Sequence, residues 1–200
     1  MTAQPTRPKA QTLSLIPSKL HHHARVTRDS AATADFYERI LGMDMCNCFI
    51  ADNVPSTGDA FPYIHLFFRM ADNSTIAFFE CASLPPPPPS SHPAYDTFDH
   101  LALEASSLEE LARWKAWLVS QGVDVLGPVD HRIAHSIYFH DPNGHRLEFA
   151  ANIGDELTTQ GAMAREILRR WVETKETARR AGQDPEQALV DLIREVQPAR

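Results

Sequence analysis

The stretch VDHRIAHSIYFHDPNGHRLEF, residues 129–149, carries four histidines, a tyrosine and a glutamate. It reads either as a polar strand pair rich in imidazole or as one wall of a metal site. Two histidines outside it bear on the choice. His22 and His100 each lie in a strand-like segment, and each is followed two residues later by alanine. Strand alternation puts His22, Ala24 and Val26 on one face, and His100, Ala102 and Glu104 on the corresponding face of the second segment. Glu148 follows the DPNG turn at 141–144 and shares its face with Arg146 and Ala150. If two sheets curve around a common cleft, His22, His100 and Glu148 converge there. Two imidazoles and one carboxylate with open positions are the ligand set of non-haem iron(II) enzymes, and the same set can hold zinc, manganese or nickel. Either histidine alone reads better as a strand residue satisfied by backbone or water. It is the repetition at matched places, together with the glutamate, that favours a metal.

The elements that must position these groups occur twice. LHHHARVTRDSAATADFYERILGM reads as a strand, a turn at Asp29–Ser30 and an amphipathic helix through Phe36, Tyr37, Ile40 and Leu41 that ends at Gly42. FDHLALEASSLEELARWKAWLVSQGV repeats the plan. Ser107 and Glu110 form a capping box, Leu111, Trp114, Leu118 and Val119 form the apolar face, and Gly122 is the stop. Candidate strands follow near 43–50, 61–69 and 75–82, and again near 123–129, 135–140 and 145–152. The expectation is an α+β fold of two βαβββ modules forming a cupped mixed β-sheet, with a C-terminal helical extension. The parts are a flexible leader (1–19), a first module (20–83), a proline-rich linker (84–97), a second module (98–153) and C-terminal helices (154–200). In the linker, five consecutive prolines favour a stiff, extended spacer. In the C-terminal helices, Ile167, Trp171 and Ala178 stand at helical spacing, Gly182 stops the first helix, and Asp184 with Pro185 starts the next.

Composition removes other classes of function. Nineteen basic residues against 26 acidic give a net charge of −7, and no long run of like charge occurs, so a nucleic-acid partner is not expected. No apolar run is long enough to span a membrane, and the N-terminus lacks a signal-peptide core. Cys46, Cys48 and Cys81 show no zinc-ribbon spacing and read as buried filler in a reducing, cytoplasmic setting.

HHHARVTRD…FYERILGM and DHLALEASSLEEL…DPNGHRLEF resemble the vicinal oxygen chelate superfamily, which includes glyoxalase I, fosfomycin-resistance enzymes, bleomycin-binding proteins and extradiol ring-cleaving dioxygenases. The resemblance covers roughly residues 20–153. It implies a cupped metal site with His22, His100 and Glu148 on the ligand positions. Val129-Asp130-His131, Ile137-Tyr138, Asp141-Pro142, Gly144 and Glu148 fall in the order and spacing of an extradiol dioxygenase signature. By that resemblance Tyr138 hydrogen-bonds a metal-bound substrate oxygen, and His131 is a donor near the same place. His135, His140 and His145 read as surface or turn residues.

The implied activity is that of an extradiol dioxygenase-like oxidoreductase. It would carry a divalent metal, iron(II) first, and act on a catechol-type aromatic diol or another vicinal-dioxygen substrate. The apolar stripe of the C-terminal helices points to a homodimer in which Ile167 and Trp171 pack on a sheet or a neighbouring chain. The sequence departs from that pattern where an acid–base histidine is expected, since Ser74 or Thr75 stands there; His65 is a possible substitute. Glu80 supports a glyoxalase-like lyase or isomerase, in which it is a fourth ligand or base. A non-catalytic, bleomycin-type binder of aromatic molecules is the third reading. Phe67, Phe78 and Phe139 could face either core or cleft.

Overall fold

The computed structural model describes residues 16–81 and 83–196, so most of the expected leader lies outside the described residues. The first half runs β1 (His22–Thr27), α1 (Ser30–Asp35), a π-helical turn (Phe36–Ile40), β2 (Asp44–Ala51), β3 (Tyr63–Arg69) and β4 (Thr75–Glu80). Its sheet has the order β1-β4-β3-β2, with β1 parallel to β4 and the remaining pairs antiparallel. Asp29 starts α1 by accepting the Ala32 N–H at 2.9 Å. The Leu41 N–H then reaches back five residues to Phe36 O at 3.0 Å, the wide turn of a π-helix. This turn carries Phe36, Tyr37 and Ile40 into the core against Leu66, Phe68, Ile76 and Phe78. The Tyr37 ring lies 4.9 Å from that of Phe78 and 5.3 Å from that of Phe68. Each such aromatic contributes roughly 1.5–3 kcal/mol through burial.

The second half repeats the order with β5 (Leu101–Glu104), α3 (Leu108–Ser120), β6 (Leu126–Asp130), β7 (Ala134–His140) and β8 (Arg146–Asn152), paired β5-β8-β7-β6. The expected α+β plan of two βαβββ modules is therefore observed, and strand pairing makes it two four-stranded sheets. On α3, Leu111 and Leu118 are buried and Trp114 stacks on Phe149 at 4.4 Å. Val119, expected on the same face, is 55% exposed, because it falls about 100° round the helix from Leu118. The capping box is shifted by one residue. Ser107 Oγ accepts the Glu110 N–H at 3.1 Å, but the Glu110 carboxylate takes the N–H of Ser106 at 2.8 Å.

Phe78 and Phe139 belong to the core, whereas Phe67 lies on the opposite sheet face. Cys46 and Cys48, expected to be buried, are exposed, and Cys81 is half-buried. The first two sit on β2, at the end of the sheet order, where little covers them. The prolines of the linker are exposed and without regular secondary structure, but its end folds into the short helix α2 (Pro93–Phe98), with His92 Nδ1 accepting the Ala94 N–H.

Three helices follow β8: α4 (Glu156–Thr159), α5 (Gly161–Arg180) and α6 (Pro185–Val196). Ala178 and Leu192 are buried where α5 and α6 pack together. Ile167 and Trp171, expected against a sheet or a neighbouring chain, are 49% and 39% exposed in the single chain. Among the described residues no helix is long and apolar enough to cross a membrane.

The chain divides into two compact units. One takes the residues up to Leu101 with Leu118–Asp124 and Phe139–Leu147; the other takes Ala102–Trp117, Val125–Tyr138 and the residues from Glu148 onward.

Candidate metal and substrate site

His22 and His100 occupy equivalent places, each seven residues ahead of the residue whose carbonyl accepts the first helical hydrogen bond. Those bonds are Thr33 N–H to Asp29 O and Leu111 N–H to Ser107 O. Both histidines are exposed, as are Ala24, Val26, Ala102 and Glu104, which alternate with them. The His100 Nδ1 lies 2.8 Å from Phe98 O. A carbonyl can only accept, so Nδ1 carries the proton and Nε2 carries the lone pair, the form a metal takes. The His22 Nδ1 lies 2.7 Å from the Nδ1 of His21, so one of the two rings donates to the other.

The sheet face that bears His22 is aromatic. Strand register aligns Phe49, His65 and Phe79 across β2, β3 and β4, with Phe67 one step along β3. The His65 ring lies 3.6 Å from that of Phe79, 4.1 Å from Phe67 and 5.0 Å from Phe49, and Phe67 is 6.1 Å from His22. His65 is 6% exposed and its Nε2 has no hydrogen-bond partner. Burial, with nearby His22 second, pushes its pKa down to about 4, so the ring is neutral at pH 7. At the far end of the same face, Val26 borders a cavity of about 370 Å³ walled by Pro85–Pro88, Asn143 and His145. The linker prolines thus also form a wall.

In the second unit, the main chain sets three signature residues. The His131 N–H donates to Ala134 O at 2.9 Å, closing the β6–β7 turn. A Cβ on Gly127 would stand 2.6 Å from Ser136 O, so only glycine lets β6 lie this close to β7. The Tyr138 hydroxyl is then 2.8 Å from His131 Nε2. Glu148 enters by register. In the first half, the bond from Met70 N–H to Ser74 O closes the β3–β4 hairpin, and three residues out Phe67 pairs with Ala77. Asp141 N–H closes β7–β8 on His145 O in the same way, and three residues out the count pairs Tyr138 with Glu148. Glu148 is 6% exposed, on the face opposite the buried Leu147 and Phe149.

The other candidates have different partners. The Glu80 Oε2 accepts the Ser30 N–H at 2.7 Å, a carboxylate on the N-terminus of α1, and it alternates with Ile76 and Phe78 on the helix-facing side of β4. The residue equivalent to Glu148 in the first half is Ala77. Ser74 Oγ donates to Asp72 within a turn. His145, expected at the surface or in a turn, faces inward. Its Nδ1 is 3.0 Å from the buried Asp141 carboxylate, which also accepts from the Tyr37 hydroxyl and from Asn143. Among the described residues no three His, Cys, Asp or Glu side chains stand together as a ready-made metal cluster.

The comparisons agree with this architecture. The family model of the glyoxalase/bleomycin resistance protein/dioxygenase superfamily matches residues 19–149, and the chain belongs to that superfamily. Among curated proteins it is 26% identical over 137 residues to the "Putative ring-cleaving dioxygenase MhqA" of Bacillus subtilis (strain 168). That match takes 66% of this chain but only 40% of the relative's length. A solved glyoxalase/dioxygenase from Nostoc punctiforme superposes with a TM-score of 0.50 at 25% identity, covering 72% of this chain and 99% of that one. A glyoxylase/bleomycin resistance protein/dioxygenase domain from Frankia sp. EAN1pec gives a TM-score of 0.56 at 15% identity, over 71% and 97%, a likeness of fold alone.

Proposed function

We propose that this chain is a metal-dependent enzyme of its superfamily, nearest to the extradiol ring-cleaving dioxygenases, acting on a catechol-type aromatic diol. His22, His100 and Glu148 hold one divalent ion, iron(II) first, with manganese, zinc or nickel as the alternatives. The donor chemistry fits such an ion: two imidazoles at matched positions, one fixed in a ligating tautomer by Phe98 O, and a buried carboxylate. When bound, the metal supplies a Lewis-acidic centre at which two vicinal oxygens can chelate.

The observation that carries this reading is the Tyr138–His131 hydrogen bond on the strand beside Glu148. With the proton on Tyr138, the phenol donates to His131 Nε2 and its oxygen can accept a proton from a substrate hydroxyl. With the proton on His131 Nε2, the phenol is turned to donate to a substrate oxyanion. The pair can therefore take up a substrate proton and then steady the charge left behind. The ring faces of Phe49, Phe67 and Phe79 suit an aromatic ligand. His65, neutral and beside them, is the first-half histidine nearest the missing acid–base role.

The glyoxalase-like alternative loses its fourth carboxylate, because Glu80 is committed to α1 and Ala77 stands where Glu148's counterpart would be. The test is the metal content of freshly purified protein, then anaerobic iron(II) loading and a catechol panel followed for coloured ring-fission products. Stoichiometric metal with ring fission supports the reading. Tight aromatic binding with neither metal nor turnover replaces it with the bleomycin-type binder.

A further inference from the structure

We propose that the α5–α6 hairpin is a homodimer interface, in which two copies pair their hairpins into a four-helix bundle. Ile167, Leu168, Trp171 and Val172 on α5, with Ile193 and Val196 on α6, are each 38–62% exposed. The α5 residues recur at helical spacing, so they form a stripe. Ala178 and Leu192 are buried, α5 packs against α6, and Trp171 lies seven residues from Ala178 on the same side of α5. In an antiparallel pair of right-handed helices, the residue after an inward-facing one falls on the same side of the pair in both. Val172 and Ile193 therefore share one open face of the hairpin, and Leu168 lies one turn from Val172. Together the six side chains leave on the order of 600 Å² in water. That is one partner's half of a roughly 1,200 Å² interface, the lower end for a specific complex. It is also at the upper end of the largest apolar patch that a monomer usually exposes.

Charge selects the occupant. Residues 161–196 hold seven basic and seven acidic side chains, a net charge of zero in a chain of −7. Many of these charges are already paired within the hairpin: Arg169 with Glu166 and Glu173, Arg170 with Glu195, Arg180 with Glu176, and Arg194 with Asp191. A face whose charges are balanced and internally paired offers no handle to a nucleic acid, an anionic lipid surface or an acidic peptide. It meets no repulsion from its own copy.

The test is sedimentation of the full chain with and without Leu168→Glu or Ile193→Glu. Both positions are exposed in the single chain, so neither substitution disturbs its core, and circular dichroism checks the helices. The expected results are a species of twice the 22.4 kDa chain mass and a dissociation constant raised at least ten-fold by either variant. Hydrogen exchange of the parent should show protection of 163–196 that increases with protein concentration. A parent that stays monomeric at tens of micromolar overturns the proposal. So does a dimer that neither variant weakens, and so does exchange in 163–196 that is independent of concentration.

Discussion

The Tyr138 hydroxyl and His131 Nε2 lie 2.8 Å apart, so a phenol and an imidazole seven residues apart share one proton. Replacing Tyr138 by phenylalanine keeps the ring and removes the shared group. Turnover of the identified substrate should fall about 10²–10³-fold, the usual loss for one preorganised donor to developing charge. Metal content should not change. Parent-level turnover in Tyr138→Phe would mean that the signature is inherited scaffold without a catalytic part.

Metal binding has its own variants. Glu148→Ala, and the double variant His22→Ala/His100→Ala, should each purify without the one divalent ion per chain expected of the parent, because the donors left are too few to hold it. Elemental analysis after dialysis reads this directly. A double variant that keeps stoichiometric metal rules out the ligand assignment.

Glu80→Gln separates the helix-capping role from a metal role. It removes a carboxylate from the N-terminus of α1 and should cost about 0.3–1 kcal/mol in denaturant unfolding. Bound metal should stay at the parent level, and a proportionate loss of metal would restore Glu80 as a ligand.

His65 gives stability a pH dependence. Burial, with His22 second, holds its folded pKa at about 4, whereas an unfolded histidine titrates near 6.5. Between those values the unfolded chain binds more protons, so this contribution is complete above about pH 6.5 and is lost as the pH falls towards 4. The melting temperature of the parent should drop over that window more than that of His65→Phe, which keeps a ring beside Phe67 and Phe79 but takes up no proton. Parallel curves would show that His65 is not the group titrating.

Much of this was legible in the residue order, because each module has a strong local signature. The turn at Asp29–Ser30, the Ser107 cap, the glycine stops and the alternation around His22 and His100 pointed to the repeat and to matched faces for the two histidines. A family signature brought Tyr138 and His131 near one place, but the hydrogen bond between them is seen only in the structure. What escaped the sequence depends on contacts far along the chain. Glu80 lies fifty residues from the Ser30 N–H that claims it, and His145 turns inward because Asp141 is buried beneath Tyr37. His65 could not be given a face until β3 was in register with β4. The cysteines on β2 went wrong for the same kind of reason, since residue type cannot say which strand ends a sheet.

The two hairpin-closing bonds make Ala77 the twin of Glu148, and that inequality sets an electrical balance. With the proposed ligands His22, His100 and Glu148, two neutral imidazoles and one carboxylate would leave a bound divalent ion with one unit of surplus positive charge. A second carboxylate at position 77 would cancel it. On the proposed function, the methyl group at position 77 would keep the centre attractive to a singly ionised diol, which a charge-neutral centre would hold less strongly.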